Sequence, residues 1–137
     1  MESARILVVE DSATQRAIYK DMLEKEGYTV FLAQDGADGL SKVKTVSPDV
    51  IITDLNMPKL SGFELVKALK HDEKTKCIPI ICVSATYMDI VSKMKMLMQY
   101  GAEEYFYATQ NQAELIAKVK VMARIRKIYM DLLEKNR

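Results

Sequence analysis

Ile6-Leu7-Val8-Val9-Glu10-Asp11-Ser12-Ala13-Thr14-Gln15 holds an apolar run, a pair of acids and a helix start within ten residues. The run is continuous rather than alternating, so it reads as a strand buried on both faces. Ser12, with Gln15 three positions later, is a capping signature, and Gly27 closes the helix it opens. The same grammar recurs along the chain. Val50-Ile51-Ile52 and Ile78-Pro79-Ile80-Ile81-Cys82-Val83 are further buried runs. Tyr105-Phe106-Tyr107 is a shorter one, and Tyr28-Thr29-Val30-Phe31-Leu32-Ala33 is a fifth candidate. Between them lie segments with helical spacing. Ser61-x-x-Glu64 opens the third helix and Asn111-x-x-Glu114 the last. The second, near 36–46, carries Ala37, Leu40 and Val43 on one face; the fourth, near 87–99, is short and rich in methionine. Strands alternating with helices in the order βαβαβαβαβα force a parallel sheet covered on both faces.

Composition agrees with a single α/β domain. The chain has 137 residues, 49% of them hydrophobic and 28% charged. That mix supports a sizeable core and excludes disordered and fibrous classes. No run approaches the roughly 20 apolar residues of a membrane span. Met1-Glu2-Ser3-Ala4-Arg5 lacks a signal-peptide layout, so a cytoplasmic location is expected. Cys77 and Cys82 share one apolar segment and read as reduced core thiols. The net charge of +1 hides an asymmetry: residues 1–117 sum to −4 and residues 118–137 to +5. The basic end reads as a solvated helix face, with nucleic acid as the alternative.

Ligands of open α/β sheets bind outside the carboxyl ends of the strands. Glu10 and Asp11 follow the first run, Asp54 follows Val50-Ile51-Ile52-Thr53, and Ser84, Ala85 and Thr86 follow the fourth. Any one of these acids alone could cap a helix or face water. Gathered at matching strand ends, they repel one another unless one takes a proton or a cation intervenes. Mg²⁺ suits such a set, because it needs only one or two carboxylates and keeps several waters. In Asp54-Leu55-Asn56-Met57-Pro58-Lys59-Leu60-Ser61-Gly62, Pro58 stiffens the loop and Gly62 gives the turn freedom. A carboxylate held there beside Mg²⁺ can attack a phosphoryl group and form an acyl phosphate. Ser84 can donate a hydrogen bond to a phosphoryl oxygen.

These residues resemble the response-regulator receiver domain of two-component signalling. Val8-Val9-Glu10-Asp11 is similar to its acidic pair, and Asp54-Leu55-Asn56-Met57-Pro58 to its phosphoacceptor motif. Val83-Ser84-Ala85 is similar to its switch position, and Gly101-Ala102-Glu103-Glu104-Tyr105 to the lead into its last strand. The likeness spans about residues 4–122. It implies a flavodoxin-like (βα)5 doubly wound sheet with strand order 2-1-3-4-5 and an extended C-terminal helix. It implies Asp54 as phosphoacceptor and a histidine kinase as donor. Mg²⁺ would be held by Asp11, Asp54 and the Asn56 carbonyl, with Glu10 acting largely through water. Ser84 and Tyr105 would report phosphorylation to the face of helix 4, strand 5 and helix 5. The chain would be a signalling module rather than an enzyme, catalysing at most its own phosphorylation and dephosphorylation.

One departure stands out. The family's strand-5 Lys-Pro pair is replaced by Ala108-Thr109. The lost lysine would weaken phosphoryl stabilisation or switching by on the order of tenfold to a hundredfold. Without the proline, a trans peptide is expected at 108–109, because a cis bond there would cost about 2.5–4 kcal/mol. The second reading is therefore a pseudo-receiver that docks or dimerises without phosphate. A phosphatase of the haloacid-dehalogenase type fits less well, since the position two after Asp54 is Asn56. A nucleotide-binding enzyme lacks a Gly-rich loop after the first strand. His71 reads as a solvated loop residue, and Lys59 as a minor candidate for phosphoryl contact. Met88, Met94, Met96 and Met98 read mostly as packing residues, with an adaptable binding surface as the alternative.

The receiver would occupy residues 1–122, followed by a helical extension over 123–137. Val121, Ile125, Ile128 and Leu132 repeat at spacings of 4, 3 and 4, a coiled-coil seam of about two heptads. With Met122, Tyr129 and Leu133 beside it, the stripe is too apolar to stay bare. It implies a homodimer or a stem to an absent output domain; the alternative is a helix folded back on its own domain.

Overall fold

The apolar runs become five strands: β1 (Arg5–Val9), β2 (Thr29–Ala33), β3 (Val50–Asp54), β4 (Ile80–Ser84) and β5 (Glu104–Tyr107). This computed structural model describes residues 3–57, 60–85, 89–108 and 111–136. The strands pair in parallel in the order β2-β1-β3-β4-β5, which is the flavodoxin-like sheet. Val9 is in register with Thr53, Asp54 with Val83 and Ser84 with Tyr107. The strand ends that carry the polar residues therefore form one edge.

Helices α1 (Ala13–Glu24), α2 (Gly36–Val46), α3 (Gly62–Lys70), α4 (Ile90–Met94) and α5 (Gln112–Lys135) cover both faces. The α4 winding continues as a π-helix through Lys95–Tyr100. Successive strand residues serve opposite layers. Leu7, Val9, Ile51, Cys82 and Tyr105 join the layer containing Leu65 and Leu69 of α3. Ile6, Val8, Ile52, Ile81 and Phe106 join Leu23 of α1 and Leu115 and Val119 of α5. Both sets are buried, which is why each strand looks apolar throughout. Each fully buried side chain of this kind contributes about 1.5–3 kcal/mol.

The caps form largely as their signatures suggest. The Ser12 hydroxyl accepts from the Gln15 N–H at 3.3 Å. Ser61 and Glu64 complete a reciprocal capping box. Asn111 differs: its side chain accepts from Ala113 N–H at 2.8 Å. Gly27 takes a left-handed φ of +91°, as a chain turning after α1 requires.

Several expectations need correction. Val43 is buried on the inner face of α2 with Gly36 and Gly39, and Leu40 packs half-buried against the same core, whereas Ala37 is exposed. Gly62 has no left-handed φ; what it supplies is space, because a Cβ there would collide with the Asp54 carbonyl oxygen. Cys77 is exposed and precedes β4, so only Cys82 is a core thiol. Met94 and Met98 are exposed while Met96 is buried; Met88 lies outside the described residues.

The last helix is unbroken to Lys135. Leu115 and Val119 pack inward, and Arg126 donates to the Cys77 carbonyl at 3.3 Å. Met122 and Tyr129 are half-buried on that same side, so they do not flank the outer stripe. Val121, Ile125, Ile128 and Leu132 face away and are 39–54% exposed. The helix thus leans on its domain with one face only, and the apolar stripe does not fold back. No helix among the described residues is long and apolar enough to cross a membrane.

Gly62→Ala should destabilise the domain by about 1–3 kcal/mol, since the obstacle is backbone that cannot move aside. Urea unfolding of the variant against the wild type measures this.

Candidate functional site

Glu10 leaves β1 but remains tied to the sheet. Its N–H donates to the Ala33 carbonyl at 3.0 Å. Its carboxylate accepts from the Ser12 N–H at 3.0 Å, and its carbonyl accepts from the Arg16 guanidinium at 2.7 Å. Glu10 is accordingly buried and pinned, while Asp11 beside it is exposed. Asp54 ends β3 half-buried, and its Oδ1 accepts from the Asn56 N–H at 3.3 Å. One carboxylate oxygen from each of Glu10, Asp11 and Asp54 lies within 4.8 Å of the other two.

That proximity shows in the acidities. Burial pushes the Glu10 carboxyl up to about 7; the Ser12 N–H opposes this, and Asp11 and Asp54 add to it. Burial also raises Asp54, against the Asn56 N–H and with the charge of Asp11. The site gathers more negative charge than its own donors compensate. An all-oxygen set with surplus charge and an exposed side fits a hard divalent cation that keeps water.

Ser84 is buried at the end of β4, and the Asn56 carboxamide donates to its hydroxyl at 3.5 Å. The Ala108 N–H donates to the Ser84 carbonyl at 2.8 Å, so the chain leaving β5 is tied to the same edge. Tyr105 is buried on the opposite side of the sheet, among the α3-side core, with the Lys93 ammonium 5.3 Å from its ring centre. Asn56 itself is exposed.

Beside the acids lies a cavity of about 200 Å³. Glu10, Asp54, Tyr19 and Ala108 line it, with Gln15 and Gln112 among its other polar residues. Ile18, Val83, Phe106 and Leu115 form its apolar wall. Lys118 pairs with Glu104 at 3.3 Å and does not line this cavity. Lys59, Thr86 and the 108–109 peptide fall outside the described residues. His71 is exposed at the end of α3, its Nδ1 2.7 Å from the Lys67 carbonyl.

Sequence reasoning missed Arg16 and Tyr19. Tyr19 shares a 3,4 spacing with Met22 and Leu23 and reads as an ordinary core aromatic. Only its place two turns into the helix that follows Glu10 and Asp11 hints that its hydroxyl end meets the acids. Burial first, then the charges of Glu10 and Asp54, push that phenol up to about 12.

A family profile described as the response regulator receiver domain matches residues 6–120. Protein PilH of Pseudomonas aeruginosa is 34% identical over 119 residues, covering 87% of this chain and 97% of PilH. The hybrid signal transduction histidine kinase D of Dictyostelium discoideum is 35% identical over 122 residues, 89% of this chain but 8% of that kinase. The chain thus spans nearly all of one relative and a small part of another. Among solved structures, chemotaxis protein CheY4 of Vibrio cholerae superposes with a TM-score of 0.80 at 31% identity, covering 88% of this chain and 98% of that one. The receiver domain of a signal transduction histidine kinase from Syntrophus aciditrophicus gives 0.81 at 29% identity, covering 89% and 91%.

The raised pKa of Glu10 has a consequence for stability. The native state holds this proton more tightly than the unfolded chain, whose carboxyl titrates near 4.5. Its stabilising contribution is full below that pH and is lost as pH rises through about 7. In chelator-treated protein, unfolding free energy should fall by roughly 1–3 kcal/mol across that window. Glu10→Gln should flatten the slope, as denaturant titrations at stepped pH would record.

Proposed function

This chain belongs to the response-regulator receiver family, and from that premise we propose that Asp54 accepts a phosphoryl group from a histidine kinase. The observation that carries this reading is the convergence of the Glu10, Asp11 and Asp54 carboxylates at the strand ends. Glu10, Asp11, Asp54 and the Asn56 main-chain carbonyl would hold Mg²⁺, which neutralises charge as the anionic phosphoryl group approaches.

The chain's own residues supply the rest. Because Oδ1 of Asp54 already accepts from the Asn56 N–H, the other oxygen is the one left to react. It attacks phosphorus as the P–N bond of a phosphohistidine breaks; the electron pair of that bond stays on the ring nitrogen, which takes a proton from solvent so that the histidine departs neutral. The product is an acyl phosphate. Ser84 turns its hydroxyl to a phosphoryl oxygen, giving up the long contact with Asn56. Water later hydrolyses the acyl phosphate and restores the carboxylate. Movement of Ser84 passes through β4 to β5 and so to Tyr105 and Lys93, toward the face of α4, β5 and α5. Signalling of this kind belongs in the cytoplasm, where ATP-fed kinases work.

The pseudo-receiver reading rests on Ala108, which offers no cation where the family places lysine. Intact mass separates the two. With a small phosphodonor and Mg²⁺, the wild type should gain the mass of one phosphoryl group and Asp54→Ala should gain nothing. An unmodified wild type would favour the phosphate-independent module.

Residues 123–137 extend the receiver of residues 1–122, and we assign the extension to pairing with a second copy. Its outward stripe is flanked on one side by Arg124 and Asp131, seven residues apart and opposite in charge. Two antiparallel copies would set each Arg124 against the other's Asp131, so the stripe is complementary to itself. A stem to a separate output domain is the competing use. Ile125→Glu with Ile128→Glu should convert a dimer to a monomer in sedimentation velocity, with the fold retained by circular dichroism.

A further inference from the structure

Tyr19 combines three properties that do not belong to an ordinary core aromatic. It is 9% exposed, with its ring among Ile6, Val8, Met22 and Leu23. It lines the cavity that Asp54, Glu10 and Ala108 share. Its hydroxyl makes no hydrogen bond to any described residue. Among the described residues the buried side-chain polar atom without a partner is Arg126 Nε, so the Tyr19 oxygen stays open to water in the cavity, where a ligand oxygen can take that water's place.

We propose that the Tyr19 hydroxyl donates a hydrogen bond to the phosphoryl group carried by Asp54, from the α1 side of the cavity and in the space where a strand-end lysine is missing. The inference rests on the reading of Asp54 as phosphoacceptor.

The surroundings narrow the choice of donor. Glu10 and Asp54 present acceptors, and Ala108 presents a methyl group. Arg16, the guanidinium nearest in sequence, is held by the Glu10 carbonyl at 2.7 Å. Gln15 and Gln112 are exposed, at the rim. Tyr19 is the buried neutral donor on that wall. At about 200 Å³ the cavity holds roughly six waters at ~30 Å³ each. A tetrahedral phosphoryl group can displace some of them and still leave its oxygens within reach of the wall. A phenol suits the place better than a second carboxylate would, because it donates without adding negative charge. Compared with a lysine it gives up the positive charge but keeps a fixed direction, since its ring is clamped by the core.

The test uses the full chain with Mg²⁺ and beryllium fluoride as the phosphoryl probe, followed by calorimetry. Tyr19→Phe keeps the ring and removes only the hydroxyl. Its affinity for the probe should fall about tenfold to a hundredfold, the worth of a hydrogen bond to a charged group. Its affinity for Mg²⁺ alone and its melting temperature should stay within error of the wild type. In an Ala108→Lys background the same change should cost much less, because the ammonium takes over the contact. Equal probe affinity in Tyr19→Phe and wild type would overturn the inference and leave the role of Asp54 standing. Equal losses of Mg²⁺ and probe affinity would also overturn it, since they mark a structural role. A wild type that binds no probe, or binds it no better than Asp54→Asn, would overturn both readings together. The ring carbon that bears the Tyr19 oxygen should shift in the carbon NMR spectrum of the wild type when the probe is added. An unmoved resonance would overturn the proposal without recourse to any variant.

Discussion

Three carboxylates are held close enough to repel, and the sheet pins two of them, Glu10 and Asp54, in place. Glu10 is fixed by its N–H on Ala33, by the Ser12 N–H on its side chain and by Arg16 on its carbonyl. Asp54 is the last rung of β3, and the loop behind it is packed so tightly that residue 62 has no room for a side chain. Charge repulsion of this kind is normally relieved by moving apart. Here a proton held on Glu10 relieves part of it, and the same oxygens would suit a hard divalent cation. The same pinning that makes the site costly makes it responsive: whatever enters is felt by groups that cannot drift away.

The fold was legible because both faces of the sheet are covered. Continuous apolar runs, capping residues and a strict alternation of strand and helix leave few other arrangements. The acids were legible for a related reason. A parallel sheet sends every strand end to one edge, so Glu10, Asp11, Asp54 and Ser84 could be gathered on paper before any distance was known. What escaped were features of depth and direction. Gly62 looked like a hinge and is a matter of clearance. Cys77 looked like core because it abuts an apolar run, yet it precedes β4 and is exposed. The described methionines of the α4 region divide between one buried and two exposed residues, because Met94 and Met98, four apart, share the outer face and Met96 lies opposite them.

Tyr105 and Tyr19 show how the layers divide the work. Adjacent strand residues point to opposite faces, so Tyr105 sits on the far side of the sheet from the cavity while Phe106 lines it. Tyr105 is linked to the site by the backbone that joins Ser84 to Tyr107 and Ala108. Tyr19 comes from α1 and reaches the cavity directly. No periodicity separates these cases, since both tyrosines occupy inward positions; only the layer to which each belongs does.

The last helix follows from the same accounting of faces. Its first half is an ordinary cover for one face of the sheet, β3 included, with Leu115 and Val119 buried. Its second half passes the lower end of the domain and touches it through Arg126 and the Cys77 carbonyl. Ile125, Ile128 and Leu132 join neither buried cluster of the domain and are about half exposed, so they add little to the cover that Leu115 and Val119 provide. Apolar residues spaced for a seam, on the side facing away from the core, leave a stripe that is costly to keep in water. The part of α5 that packs on the sheet and this stripe lie on one unbroken helix. A tilt of α5 at the sheet would therefore reach the stripe undiminished by a joint.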